Sequence, residues 1–115
     1  MMKIPQDGYL LRIFVGENHK WHGKPVYEAI VLKAREMGLA GATVLRGPMG
    51  FGHSSKLHTT KILRLSGDLP MVIEIVDAED KIRAFLDQIE PIMGAGLMTL
   101  ERVQVLRYGT EAPKA

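Results

Sequence analysis

The residues Gly47-Pro48-Met49-Gly50-Phe51-Gly52 come nearest, in this 115-residue sequence, to a ligand surface made of main chain. A glycine has no Cβ to screen its peptide, so successive N–H groups at Gly50, Phe51 and Gly52 can face an anion such as a phosphate. The glycine spacing is not that of a dinucleotide fingerprint, and no Gly-Lys-Ser/Thr follows, so a P-loop is ruled out. An ordinary hairpin turn would use the same residues.

Four histidines offer a second chemistry. His19 and His22 stand three apart in one segment, and His53 and His58 fall in another, so imidazoles from two loops could make a composite metal site. Loop histidines are more often exposed and unliganded, and no metal is expected here. Ser54 and Ser55 neighbour His53 only in sequence, within a glycine-rich loop that gives a poor frame for a preorganised triad. Asp77, Glu79 and Asp80 suit helix capping, so no catalytic residue is assigned and no enzyme activity is expected. Trp21, between Lys20 and Lys24, either contacts a partner or packs on the following helix. Arg12, a charge inside an apolar run, either lines a cleft or pairs with Glu74 or Glu101, and the pairing is favoured.

The elements that must hold these groups follow from periodicity. Tyr9 to Val15 is a near-continuous apolar run closed by Gly16, which predicts a central strand. Pro25 opens a helix in which Val26, Ile30, Ala34 and Met37 recur until Gly38 stops it. Ala42 to Arg46 predicts a second strand, ended by Gly47-Pro48, and a mobile loop then leads to pairing around Thr60 to Leu65. Leu69 to Val76 is a strand with Ile73 and Ile75 on one face and Glu74 on the other. Asp77 is expected to cap a second helix with the stripe Ile82, Phe85, Leu86, Ile89 and Met93, kinked or ended near Glu90 by Pro91. Leu97 to Tyr108 predicts the last strand, and Gly109 to Ala115 should fray.

That order makes an α+β, ferredoxin-like βαββαβ sandwich, with one antiparallel sheet covered by two helices on one face. A single domain over 1–115, ordered from about 8 to 109, is expected. Its uncovered face would carry Leu10, Phe14, Val72 and Val76, and an apolar face of that kind calls for other copies of the chain. Hydrophobic residues at 46% and charged ones at 24% fit a globular core. The absence of cysteine removes disulfides and thiolate sites, while a net charge of +2 is too small to mark a nucleic-acid binder. No apolar run reaches the roughly 18 residues of a membrane span, and the N-terminus lacks a signal-peptide core, so a soluble cytoplasmic protein is expected.

Gly38-Leu39-Ala40-Gly41-Ala42-Thr43-Val44 followed by Gly50-Phe51-Gly52 resembles the PII signalling proteins, in which such a strand runs into a Gly-Phe-Gly turn that begins a mobile T-loop. The blocks GKPVYEAIVLKAREMGLAGATVLRGPMGFG, DLPMVIEIVD and GLMTLERVQVLRYG, spread over nearly the whole chain, are similar to a PII-like family known as domain of unknown function 190. The resemblance implies a homotrimer with three clefts between subunits, each taking a small-molecule effector. In PII that effector is an adenine nucleotide, and AMP, cAMP, ADP and ATP are all candidates here. It also implies a partner addressed through the T-loop. Members of the family accompany fluoride-channel genes, which points to a membrane channel or transporter.

Carried onto this sequence, the phosphate-contacting turn falls on Gly50, Phe51 and Gly52, the strand threonine on Thr43, and the second basic residue of the last strand on Arg107. Three departures stand out. Val105 occupies the place of the first basic residue, and the spacing from Thr43 to Gly50 is one residue longer than in PII. Gly94-Ala95-Gly96-Leu97 replaces a Gly-Asp-Gly-Lys element, which keeps Gly94 and Gly96 as cleft residues but loses a phosphate-binding lysine. A monophosphate, a cyclic nucleotide or another small anion needs fewer cations, and Arg107, Arg46 and Lys61 are the candidates to supply them. The alternatives are a metal-binding, metal-tolerance trimer of the same superfamily using the four histidines, and a ligand-free adaptor for a membrane transporter. Nucleic acid is not an expected partner, since the strands lack exposed aromatics on which bases could stack.

Overall fold

A computed structural model of the chain describes residues 7–52, 57–59 and 68–109. Strand β1 (Asp7–Gly16) buries Leu11, Ile13 and Val15 on one face and leaves Leu10, Arg12 and Phe14 on the other, as a pleat of period two requires. A short hairpin follows, β2 (Lys20–Trp21) with β3 (Lys24–Pro25), turned at His22 and Gly23 with φ of 51° and 80°. Periodicity carried no sign of this hairpin, because two-residue strands have no period. Trp21, half-buried, packs against the core, as one of its two sequence alternatives has it.

Helix α1 (Val26–Glu36) begins directly after Pro25, which makes no side-chain capping bond, and buries Val26, Ala29, Ile30 and Ala34. Strand β4 (Thr43–Arg46) leads to a small ladder of β5 (Met49–Gly50) and β6 (His58–Thr59). Strand β7 (Pro70–Asp77) buries Met71, Ile73 and Ile75 in strict alternation. Helix α2 (Glu79–Met93) and strand β8 (Leu97–Gln104) complete the described chain. The sheet order is β4-β7-β1-β8 with every neighbouring pair antiparallel, which is the ferredoxin-like arrangement. Both helices lie on one side, where Phe85, Ile82 and Ile89 of α2 and Ile30 and Val26 of α1 meet Leu11, Ile13, Ile73 and Ile75 with 1% exposure or less. Each such side chain contributes roughly 1.5–3 kcal/mol by leaving water.

Three expectations need correction. Asp77 does not cap α2. It pairs with Tyr9 as the last residue of β7, and its fully buried carboxylate accepts the N–H of Ala78 at 2.7 Å and of Ala40 at 2.8 Å. Pro91 neither ends nor breaks α2, which runs on to Met93. The bond it forgoes would reach the carbonyl of exposed Asp87, which water can satisfy, and buried Ile92 and Met93 draw the last turn onto the core. The final strand stops at Gln104 rather than Tyr108, because Gln104 pairs with Asp7, where β1 itself begins. The pairing expected over Thr60 to Leu65 and the loop residues 53–56 lie outside the described residues.

Candidate functional site

The uncovered face of the sheet carries Leu10, Arg12 and Phe14 from β1 and Val72, Glu74 and Val76 from β7, all half-buried. Register adds Thr43 opposite Glu74, Leu45 opposite Val72 and Leu97 opposite Phe14. Leu45 and Leu97 are 51% and 58% exposed. Past β8 the chain turns across this face. Val105 closes on Gly8, where a Cβ would stand 3.0 Å from the Val105 methyl, and the Tyr108 hydroxyl donates to the Ala40 carbonyl at 3.0 Å. Glycine at position 8 is what lets the crossing segment come so close.

Under this segment lies a groove of about 720 Å³, with walls that include Leu10, Val76, Val103 and Val105, main chain from Ala40 to Ala42, and the polar groups of Arg12, Thr43, Glu74, Arg107 and Tyr108. An apolar hollow of this size with a few converging polar groups is the usual form of a small-molecule site. Arg12 serves both roles weighed from sequence: it lines the groove, and it is paired. Its Nε donates to Glu74 at 2.8 Å and its Nη1 to Glu101 at 2.6 Å, so one guanidinium ties together β7, β1 and β8. The Glu74 hydrogen bond, opposed by desolvation and helped by the charge of Glu101, raises the Arg12 pKa further above its already high ordinary value. A raised basic pKa stabilises at every pH below the ordinary value, so Arg12 itself adds no pH dependence in the working range.

Thr43 and Arg107, assigned to the site from sequence, meet at this groove. Tyr108 and the Ala40–Ala42 main chain were not assigned, and no motif marks them: they become lining only because the C-terminal segment folds back. The remaining sequence assignments lie elsewhere. Arg46, at the far end of β4, pairs with Glu17 at 3.0 Å. Gly47 and Gly50 pack on the Pro70 ring, whose Cγ would lie 2.9 Å from a Cβ on either. Phe51 is 69% exposed, and a Cβ at Gly52 would meet open space. Pro70 and groove-lining Glu74 are four residues apart on one strand, about 13 Å, so the glycine turn and the groove are separate features of one chain. Gly94 ends α2 with φ 54° and His19 against it, and Gly96 lies between the Met93 methyl and the Phe14 carbonyl, on the β1–β8 side of the sheet. Lys61 is outside the described residues.

His22 lies against Trp21, with ring centroids 4.2 Å apart and the planes tilted by 48°. Among the described residues no three His, Cys, Asp or Glu are grouped as a metal site. A second hollow of about 580 Å³ at the start of α2 mixes Asp7, Glu79 and Asp80 with Arg83 and Arg102, and Arg83 is paired with Glu79 at 3.2 Å. Among the described residues no helix is long and apolar enough to cross a membrane.

The model of the uncharacterised ACR family, domain of unknown function 190, matches residues 8–105. A UPF0166 protein of Aquifex aeolicus is 43% identical over 97 residues, covering 84% of this chain and 91% of the relative. Among solved structures, CPII, a nitrogen regulatory PII-like protein from Thiomonas intermedia K12 bound to ADP, AMP and bicarbonate, superposes with a TM-score of 0.67 at 18% identity, covering 88% of this chain and 90% of that one. A putative PII-like signalling protein from Thermus thermophilus gives a TM-score of 0.62 at 16% identity, covering 86% and 89%. At these identities the two structures establish the shared fold.

Proposed function

This chain belongs to the PII-like domain of unknown function 190 family, and on that premise we propose that it is a non-catalytic regulatory protein that binds an adenine nucleotide. The nucleotide sits in the groove on the uncovered sheet face, at a cleft completed by a second copy within a homotrimer, and the segment beginning at Phe51 addresses a partner protein. The observation that carries this reading is the meeting of Thr43 and Arg107, from opposite edge strands and their extensions, in one groove of small-molecule size. The likeness of the fold to CPII, whose structure holds ADP and AMP, supports the ligand class. The half-buried apolar residues Leu10, Phe14, Val72 and Val76 support association, since a face of this kind is covered by other copies in symmetric assemblies.

Energetically, a ligand switches the partner-facing segment only by binding one of its conformations more tightly, tenfold for about 1.4 kcal/mol. Thermal unfolding of the full chain with AMP, cAMP, ADP and ATP tests the reading. A ligand at 100 times its Kd should stabilise by about 2.7 kcal/mol, and Arg107→Gln should remove most of that gain. If no member of the panel raises the Tm, nucleotide binding is wrong; capture of a transporter without any ligand response would then favour the adaptor.

A further inference from the structure

The charge of the groove is set by an arrangement that neither the fold nor the Thr43–Arg107 pair requires. Two described arginines line it, but Arg12 carries two carboxylates, Glu74 at 2.8 Å and Glu101 at 2.6 Å. Among the described residues Arg107 is then the groove cation with no ion-pair partner, and Glu74 itself faces the groove. A phosphate approaching Arg12 has to displace a carboxylate or lie beside one, and like charges at that range in a partly desolvated groove repel strongly. Each further phosphate on a ligand adds negative charge that Arg12, held by two carboxylates, is not free to match.

We propose that Glu74 and Glu101, by occupying Arg12, are specificity-determining residues that restrict the groove to a nucleotide carrying one phosphate and exclude di- and triphosphates. The inference rests on the nucleotide reading above and adds the ligand class. Arg107 holds the single phosphate, Arg12 is kept from acting as a second phosphate clamp, and the apolar walls from Leu10, Val76 and Val103 take the base. The two glutamates differ in exposure, Glu74 at 32% and Glu101 at 57%, so Glu101 can be changed with less effect on the fold.

Titration calorimetry of the full chain with AMP, cAMP, ADP and ATP, repeated with Glu101→Gln and with the Glu74→Gln/Glu101→Gln pair, decides it. Wild type should bind AMP or cAMP at least tenfold more tightly than ADP, and ATP more weakly still. At an effective dielectric near 20, a unit charge removed anywhere within about 12 Å of an added phosphate changes affinity about tenfold or more. The double variant should therefore tighten ATP by tenfold or more while AMP changes less, with Glu101→Gln partway between them. ATP binding to wild type as tightly as AMP, or a ranking unchanged in both variants, overturns the assignment while leaving nucleotide binding intact. If none of the four binds either wild type or variants, the nucleotide reading itself fails and the assignment falls with it. Should the double variant not fold, Glu101→Gln alone must still narrow the AMP-to-ATP gap or the assignment is wrong.

Discussion

Asp77 shows at the scale of one residue how little its type reveals of its task. Its position before a helix and its short carboxylate fit a cap, yet it is buried in the sheet and fastens two peptides, Ala78 ahead of α2 and Ala40 behind α1. Ala40 in turn presents its carbonyl to Tyr108, so one buried carboxylate indirectly supports the segment that roofs the groove. Asp77→Ala would leave two backbone donors without a partner, at about 1–3 kcal/mol each. We expect the variant to lose about 2–5 kcal/mol in urea unfolding, whereas a solvent-facing cap would cost closer to 1 kcal/mol. A loss under 1 kcal/mol would show that water reaches these amides.

At the scale of elements, most of what the sequence announces is periodic. The alternation in LPMVIEIV and the stripe Ile82, Phe85, Ile89 each describe a face, and the structure buries those faces. Where periodicity is absent, the reading fails for a physical reason: β2 and β3 are too short to alternate, and Pro91 is outweighed by two buried residues that follow it. Gly96 belongs to the same lesson. Its place in a family motif suggests ligand contact, but a Cβ there would stand 2.7 Å from the Met93 methyl and 3.1 Å from the Phe14 carbonyl, so close packing alone asks for glycine. The methyl can swing aside and the carbonyl, part of a central strand, cannot. Gly96→Ala should therefore cost about 1–3 kcal/mol of stability with or without nucleotide present. Loss of nucleotide affinity without loss of stability would instead give Gly96 a direct ligand role.

For the whole molecule, the question is what covers the open sheet face. Leu45 and Leu97 stand exposed on its two edge strands, flanking the half-buried Leu10, Phe14, Val72 and Val76. The proposed trimer predicts a sedimentation mass three times that of the chain. Leu45→Glu together with Leu97→Glu should drive the protein to monomer and abolish nucleotide binding if a second copy completes the cleft. A wild-type monomer at micromolar concentration would end the trimer proposal, and a monomeric variant that binds nucleotide unchanged would confine the site to one chain.

Local chemistry was enough to determine the α+β order, the two helices, the central strands and the apolar open face, because period, glycine and proline act on neighbours in the chain. Thr43 and Arg107, singled out through the family likeness of their segments, both line the groove. What only the tertiary structure decided is which distant groups share a surface: the return of Val105–Tyr108 over the sheet, the holding of both Glu74 and Glu101 by Arg12 where the sequence offered one or the other, and the burial of Asp77. Each joins residues far apart along the chain, and no pattern in a linear sequence encodes the register and crossing that bring them within hydrogen-bond reach.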